Sequence, residues 1–364
     1  MKKTSLYEEH TKLSGKIVDF AGWALPVQYS SILNEHLHTR EKAGIFDIGH
    51  MGEFIIEGEN AGEILNTLIS SNISSLKEKK CRYGLLTNEE GGVIDDMITY
   101  RLEENKYMVV CNASRQEADF NWFKNHLPPE ISLKDISEET SKIDLQGPLS
   151  FDVLLETLSI DATHLKYFQI DYFNFNNREI TVSRTGYTGE LGVEIYCPNE
   201  VAVEIWQKLI SHENVKAIGL GARDTLRLEV GLALYGHELN EEVLPNEANL
   251  MRFVSLDSDF TGKEKIVQSI ENPTKALVGL ALTSKRAARD GMLILDENDI
   301  EVGAVTSGSV APSLGIAIAL GYVTPNCQKI GTKLNIDNGR TKLEATVVEL
   351  PFFKDGTARR KLQL

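Results

Sequence analysis

The chain is short of positive charge. Its 38 lysines and arginines face 53 aspartates and glutamates, a formal net charge of −15 over 364 residues. That balance argues against nucleic acid or an anionic membrane as the main partner, so any anionic partner must be met by a local basic patch. Cysteine is scarce as well: Cys81, Cys111, Cys197 and Cys327 lie far apart, with no C-x-x-C pair and no histidine ladder nearby. Such spacing fits free thiols in a reducing compartment, the cytoplasm by default, better than a disulfide framework or a zinc site. No run approaches the roughly 20 apolar residues of a membrane span. The N-terminus turns acidic at Glu8-Glu9 after Lys2-Lys3, without the apolar stretch of a secretory signal. Fixed-period repeats and low-complexity tracts are missing, as are H-E-x-x-H, G-x-S-x-G and P-loop motifs. The histidines of Glu35-His36-Leu37-His38 are two apart, the wrong spacing for one helix face, and read as packing or surface residues.

What remains is the composition of an ordinary folded protein, 42% hydrophobic and 25% charged, long enough for two or three compact units. Periodicity predicts helices over 32–43 (stopped by Gly44), 61–69, 114–126, 201–210 and 220–232, and strand character over 52–58. Runs 93–101 and 106–111 around Glu103-Glu104-Asn105 read as a hairpin after the Gly91-Gly92 turn. From about residue 274 the texture changes to short β-type runs, 277–282, 292–295, 316–323, 333–336 and 342–350, cut by Gly, Pro, Asn and Asp. That is the spacing of a small barrel or jelly roll. The boundary falls at Asn272-Pro273, giving an α+β body over 1–272 and an all-β domain over 273–364.

Three places carry candidate chemistry. In the run Val93 to Arg101, strand alternation puts Asp96 on the face of Ile94, Ile98 and Tyr100, and Asp95 with Val93, Met97 and Thr99. A carboxylate on an apolar face needs a partner; alternatively, a bulge beside the glycine turn lets both acids reach solvent. Glu194 alternates with Val193 and Ile195 and, taken alone, reads as a solvated residue of a half-exposed strand. The segment before it, Thr185-Gly186-Tyr187-Thr188-Gly189-Glu190, reads as a long hairpin loop between two strands, not as a dinucleotide fingerprint. Arg223 and Arg227 are one helical turn apart; Asp224 reaches Arg227, which leaves Arg223 the freer cation for a carboxylate or a structural salt bridge.

Taken in order, further segments carry a family resemblance: Val18-Asp19-Phe20-Ala21-Gly22-Trp23, Phe46-Asp47-Ile48-Gly49-His50-Met51-Gly52, Thr87-Asn88 through Gly91-Gly92 to Asp95-Asp96, Leu145-Gln146-Gly147-Pro148, Thr185 to Glu190 with Glu194, Ala222 to Glu229, Leu234 to Glu238, Thr306-Ser307-Gly308 and Pro351-Phe352-Phe353. Together they span nearly the whole chain, which resembles the T-protein family of the glycine cleavage system, tetrahydrofolate-dependent aminomethyltransferases. The resemblance implies a cloverleaf of two α+β subdomains around a folate channel plus a C-terminal β-barrel. It implies Asp96 as the catalytic aspartate, Glu194 and Arg223 as pterin-binding residues, and Asn112, Tyr235, Tyr83, Tyr187 and Met51 near the folate. Tetrahydrofolate is the implied co-substrate, with no metal. A lipoylated H-protein is the implied carrier, with P-protein and L-protein as functional partners. An acidic protein that docks such a carrier is expected to bear a basic rim, for which Lys77, Lys79, Lys80 and Arg82, then Lys285, Arg286 and Arg289, then Arg359, Arg360 and Lys361 are candidates. Folate-dependent demethylases of the same fold and a non-catalytic folate-binding accessory protein are the alternatives. The accessory proteins carry Lys-Gly-Cys where this chain has Thr185-Gly186-Tyr187, which counts against them.

Overall fold

The computed structural model describes residues 1–362. Two sheets and a barrel organise them. The first sheet has five antiparallel strands in the spatial order Lys80–Thr87, Val93–Glu103, Lys106–Cys111, Gly52–Glu57 and Ser132–Asp135. Helices Ala61–Leu68 and Gln116–His126 cover it, with Phe54, Leu65, Val109 and Phe123 in the shared core.

The second sheet runs Ile170–Phe175, Arg178–Ser183, Gly192–Pro198, Thr140–Gln146, Ala43–Asp47 and Val215–Ala217, with only the last pair parallel. Helices Ser150–Leu158 and Asn199–Ile210 bury Val153, Leu154, Ile205 and Trp206 against it. The third unit is a closed six-stranded barrel of Ala276–Leu282, Ile316–Val323, Glu301–Ala311, Leu293–Leu295, Lys333–Asp337 and Lys342–Val348. Closure leaves no strand edge exposed. The fold is therefore α+β with a C-terminal β-barrel.

Helix Leu220–Glu229 joins the units. Leu228 packs in one cluster with Leu239, Leu277, Ile318 and Leu320, so the body and the barrel share a core there. Arg227, 1% exposed, donates to Asp224, the Leu232 carbonyl, Glu238 and Ser307 of the barrel at 2.8 to 2.9 Å. Beyond the barrel the chain returns to the body. Thr357 bonds Glu190 through both its N–H and its hydroxyl, the Ala358 N–H reaches the Gly189 carbonyl, and Arg184 donates to the carbonyls of Ala358 and Arg360.

Three local expectations need correction. The helix expected over 32–43 ends at Glu41, and Gly44 lies inside the strand Ala43–Asp47. Gly44 is required by packing, because a Cβ there would sit 2.5 Å from Thr39 Oγ1 and 2.6 Å from Ile218. The helix expected over 220–232 ends at Glu229: Gly231 turns left-handed at φ 66°, and the Leu232 and Gly231 N–H groups cap the Arg227 and Leu228 carbonyls. The barrel strand Glu301–Ala311 has no counterpart among the predicted runs.

Candidate functional site

Asp96 and Asn112 meet where two strands part. The strands Val93–Glu103 and Lys106–Cys111 are paired from Ile98 opposite Val110 onward, and before that point polar side chains fill the gap. Asp96 accepts the Tyr83 hydroxyl at 3.0 Å and Asn112 Nδ2–H at 2.9 Å. Burial, then the neighbouring Asp95, pushes the Asp96 carboxyl up to about 7, while the Tyr83 and Asn112 hydrogen bonds pull against the rise. The reading that both acids reach solvent does not hold, because Asp95 is fully buried on the opposite face under helix Gln116–His126.

Glu194 is buried too, not solvated as its strand alone suggested. Its partner strand Thr140–Gln146 sets Asp144 directly opposite it. Like charges facing each other across a sheet repel, and two cations offset them. Lys142, 2% exposed, places Nζ 3.5 Å from Glu194, and Arg223 Nη1 donates to Asp144 at 2.7 Å. Glu194 accepts from Thr185 Oγ1 at 2.6 Å and from the Tyr100 hydroxyl at 3.3 Å. Burial alone would raise Glu194, but Lys142, the Thr185 hydroxyl and Arg223 hold it below the ordinary carboxylate range. Asp144 is raised to about 6 by burial and the Glu194 charge, against the pull of Arg223. Arg223 is the less engaged of the two arginines on its helix, and its salt bridge is to Asp144 rather than to Glu194.

The remaining expected residues distribute between these two clusters. Tyr83 packs edge-on against Phe253 while holding Asp96. Met51 Sδ lies 3.5 Å from Lys142 Nζ, on the Glu194 side. Tyr187 donates its hydroxyl to the Ala233 carbonyl, and its ring lies 5.2 Å from the Arg223 guanidinium, so it stands between the clusters. Tyr235 makes no bond to Asp96 or Asn112 among the described residues; its ring lies 5.2 Å from the Arg115 guanidinium. The 184–191 segment does connect two antiparallel strands, Arg178–Ser183 and Gly192–Pro198. His36 is a packing residue, buried and bonded to Thr225, Glu229 and Ser313. A separate cleft of about 800 Å³, lined by Ile55, Met108, Tyr172, Tyr196 and Asn199, includes none of the expected site residues.

Sequence reasoning missed Lys142 and Asp144. The signal was available in Lys142-Ile143-Asp144-Leu145-Gln146, whose polar residues alternate strictly with apolar ones.

The chain matches the family profile of the GCVT N-terminal domain over residues 6–258 and that of the glycine cleavage T-protein C-terminal barrel domain over residues 275–354. The chain belongs to the glycine cleavage T-protein family. Among the members it is similar to are an aminomethyltransferase of Thermotoga neapolitana, 39% identical over 99% of this chain and 100% of the relative, and one of Chloroherpeton thalassium, 42% identical over 97% and 99%. The solved structure of the glycine cleavage system aminomethyltransferase T from Bartonella henselae superposes with a TM-score of 0.93 at 34% identity, covering 98% of this chain and 99% of that one. The family assignment covers the body and the barrel alike. Among the described residues no helix is long and apolar enough to cross a membrane.

Proposed function

We propose that the chain is the aminomethyltransferase of the glycine cleavage system, moving the aminomethyl carbon from the lipoyl arm of H-protein to tetrahydrofolate in the cytoplasm. In the reaction the carbon loses its bonds to sulfur and to the amine and gains bonds to N5 of the reduced pteridine ring and N10 of the p-aminobenzoyl arm, whose protons leave with the thiol and the ammonia. Ammonia, the dihydrolipoyl carrier and methylenetetrahydrofolate are the products. The carbon passes through cationic, iminium-like character. A carboxylate fixed in a poorly hydrated channel stabilises developing positive charge far better than one in water.

Asp96 supplies that carboxylate. The observation carrying this reading is that Asp96 is held by two hydrogen bonds, from Tyr83 and Asn112, and titrates near neutral. It can therefore both stabilise charge and exchange a proton at working pH. Glu194, kept ionised by Lys142, is suited to accept the 2-amino and ring N–H donors of the pterin. Tyr187, Tyr235 and Met51 complete the folate surroundings, and Arg223, held by Asp144, lines them. We place the boundary between the folate-binding body and the barrel at Asn272-Pro273, between helix Lys263–Glu271 and strand Ala276–Leu282.

For the carrier, the basic cluster Lys285, Arg286 and Arg289 and the cluster Arg359, Arg360 and Lys361 are better-supported docks than Lys77, Lys79, Lys80 and Arg82. Their members form no ion pairs among the described residues, whereas Lys79 is paired with Asp171, and Arg82 is bonded to Asn72 and Ser75.

Aminomethylated H-protein and tetrahydrofolate, mixed with the purified chain, are expected to yield ammonia and methylenetetrahydrofolate. Asp96→Asn keeps folate binding and loses most turnover. Unchanged turnover in that variant refutes the role of Asp96, and no product from a competent H-protein favours the demethylase alternative.

A further inference from the structure

Asp95 and Asp119 take no part in the reaction as described, yet they lie directly behind it. Both are 0% exposed. Their carboxylates and Cys111 Sγ lie within 4.8 Å of one another. No lysine or arginine bonds either acid among the described residues: Arg115, on the helix of Asp119, spends Nη2 on Glu241 at 2.6 Å, and its Nε is buried without a partner. Two ionised carboxylates in such a place repel strongly and lack water, so the pair holds one proton.

The hydrogen bonds from Asn112 favour the charge on Asp95. Asp95 Oδ2 accepts the Asn112 backbone N–H at 3.0 Å and Oδ1 accepts Asn112 Nδ2–H at 2.8 Å. Both oxygens of Asp119 are buried without an N–H or hydroxyl donor among the described residues and face Asp95 and the Cys111 thiol. Asp119 lies within hydrogen-bonding range of Asp95, and burial raises both carboxyls, so a single proton is shared between the two acids.

The consequence falls on Asn112. Its Nδ2 lies between Asp95 Oδ1 at 2.8 Å and Asp96 Oδ1 at 2.9 Å. With two carboxylate oxygens on the N–H side, the carboxamide cannot flip without setting its oxygen against them. Its Oδ1, which accepts no hydrogen bond among the described residues, is left for a ligand.

We propose that Asp95 and Asp119, sharing one proton, are positioning residues that lock Asn112 so that its N–H side holds Asp96 and its oxygen offers an acceptor to a ring N–H of the reduced pteridine. This rests on reading the Asp96 site as the folate site. A fully oxidised pteridine lacks the N–H groups of the reduced ring, so the lock favours the tetrahydro form. Other groups face the network: Tyr83 from the strand Lys80–Thr87, Tyr187 from the 184–191 loop, Cys111 beside Asp119, and Tyr235 and Glu241 beyond Arg115.

The test uses the full chain with aminomethylated H-protein and tetrahydrofolate, together with the dissociation constants of tetrahydrofolate and folic acid. Asp119→Leu, which gives Asp95 no donor, is expected to lower kcat about tenfold, the scale of one lost buried hydrogen bond. Asp119→Asn restores the donor and with it most of kcat, and it removes the decline at alkaline pH that the wild type shows when the pair loses its proton. Asp95→Asn presents N–H against N–H, lowers kcat about tenfold or more and erodes the preference for tetrahydrofolate over folic acid. The inference is overturned if Asp95→Asn keeps both turnover and preference, or if Asp119→Asn is as damaging as Asp119→Leu. Should Asp95→Asn fail to fold, the two Asp119 variants decide. A wild-type chain that forms no methylenetetrahydrofolate, or an active Asp96→Asn, indicts instead the reading of the site.

Discussion

Replacing Lys142 by methionine keeps the length and removes the charge that faces Glu194. Two unit charges 3.5 Å apart attract by about 5 kcal/mol at an effective dielectric near 20. Arg223 remains and the site relaxes, so about half of that attraction is expected as a real loss, which corresponds to about 2 pKa units on Glu194. In the wild type, Glu194 is held low and is ionised throughout the neutral range. In Lys142→Met, burial and the facing Asp144 act with less opposition, and Glu194 takes up a proton as pH falls toward 6. A protonated carboxyl accepts fewer pterin N–H bonds, so folate binding should weaken and become pH-dependent, tightening as pH rises. Tetrahydrofolate titrations followed by tryptophan fluorescence between pH 6 and pH 8.5 measure this. The wild type should show a nearly flat Kd, and the variant a Kd falling up to about fourfold across the range. A flat profile in Lys142→Met, with affinity within twofold of wild type, would refute the claim that Lys142 keeps Glu194 charged.

Turnover of the wild type should rise with pH through about 7, because burial raises Asp96 and its carboxylate is protonated below that point; a single-turnover pH profile flat from 6 to 8 contradicts this. Arg227→Met strands Glu238, 0% exposed, as an unpaired buried charge, at about 3–5 kcal/mol. Urea unfolding should show that loss, and adding Glu238→Gln should recover part of it; a loss below about 1 kcal/mol speaks against Arg227 as the clasp between body and barrel. Gly92→Ala would set a Cβ 1.8 Å from the Glu241 carbonyl oxygen, backbone that cannot step aside cheaply. Overpacking of this kind costs about 1–3 kcal/mol, and thermal melting of the variant at an unchanged Tm contradicts the geometry.

Strand alternation put Asp96 in phase with Ile94 and Tyr100, where a carboxylate needs a partner, but it left open a bulge that exposes both acids, and the role of Asp96 came from the family resemblance. The same rule misled at Glu194 and passed over Lys142 and Asp144. One strand's alternation cannot tell water from a second buried face. Here the polar face of one sheet is covered by the rest of the body, so charges that look solvated are paired in the interior. Asp119 was invisible for a related reason: it reads as one more acid on a polar helix, and only the strand beneath it reveals its partner. The strand Glu301–Ala311 escaped because Gly303, Thr306, Ser307, Gly308 and Ser309 resemble a loop. They are small because the barrel is tight: a Cβ on Gly303 would lie 1.9 Å from the Tyr322 carbonyl oxygen, and one on Gly308 would lie 2.6 Å from that of Ala288.

The return of residues 353–360 to the loop beside Glu194 fixes when the enzyme becomes complete. Thr357 and Glu190 are bonded across 167 residues of chain, so the loop's anchor is translated long after the loop. The body can acquire its sheets while the barrel is still being made, and Arg40, Gln146 and Glu194 already hold the loop that carries Thr185 and Tyr187, but its tie to Thr357 waits until the ribosome has released that segment. A nascent chain is thus expected to hold this loop less firmly than the finished protein, however well its body has folded. A stop anywhere before residue 353, or a bulky fusion close behind residue 360, is expected to act on folate binding from the far end of the gene.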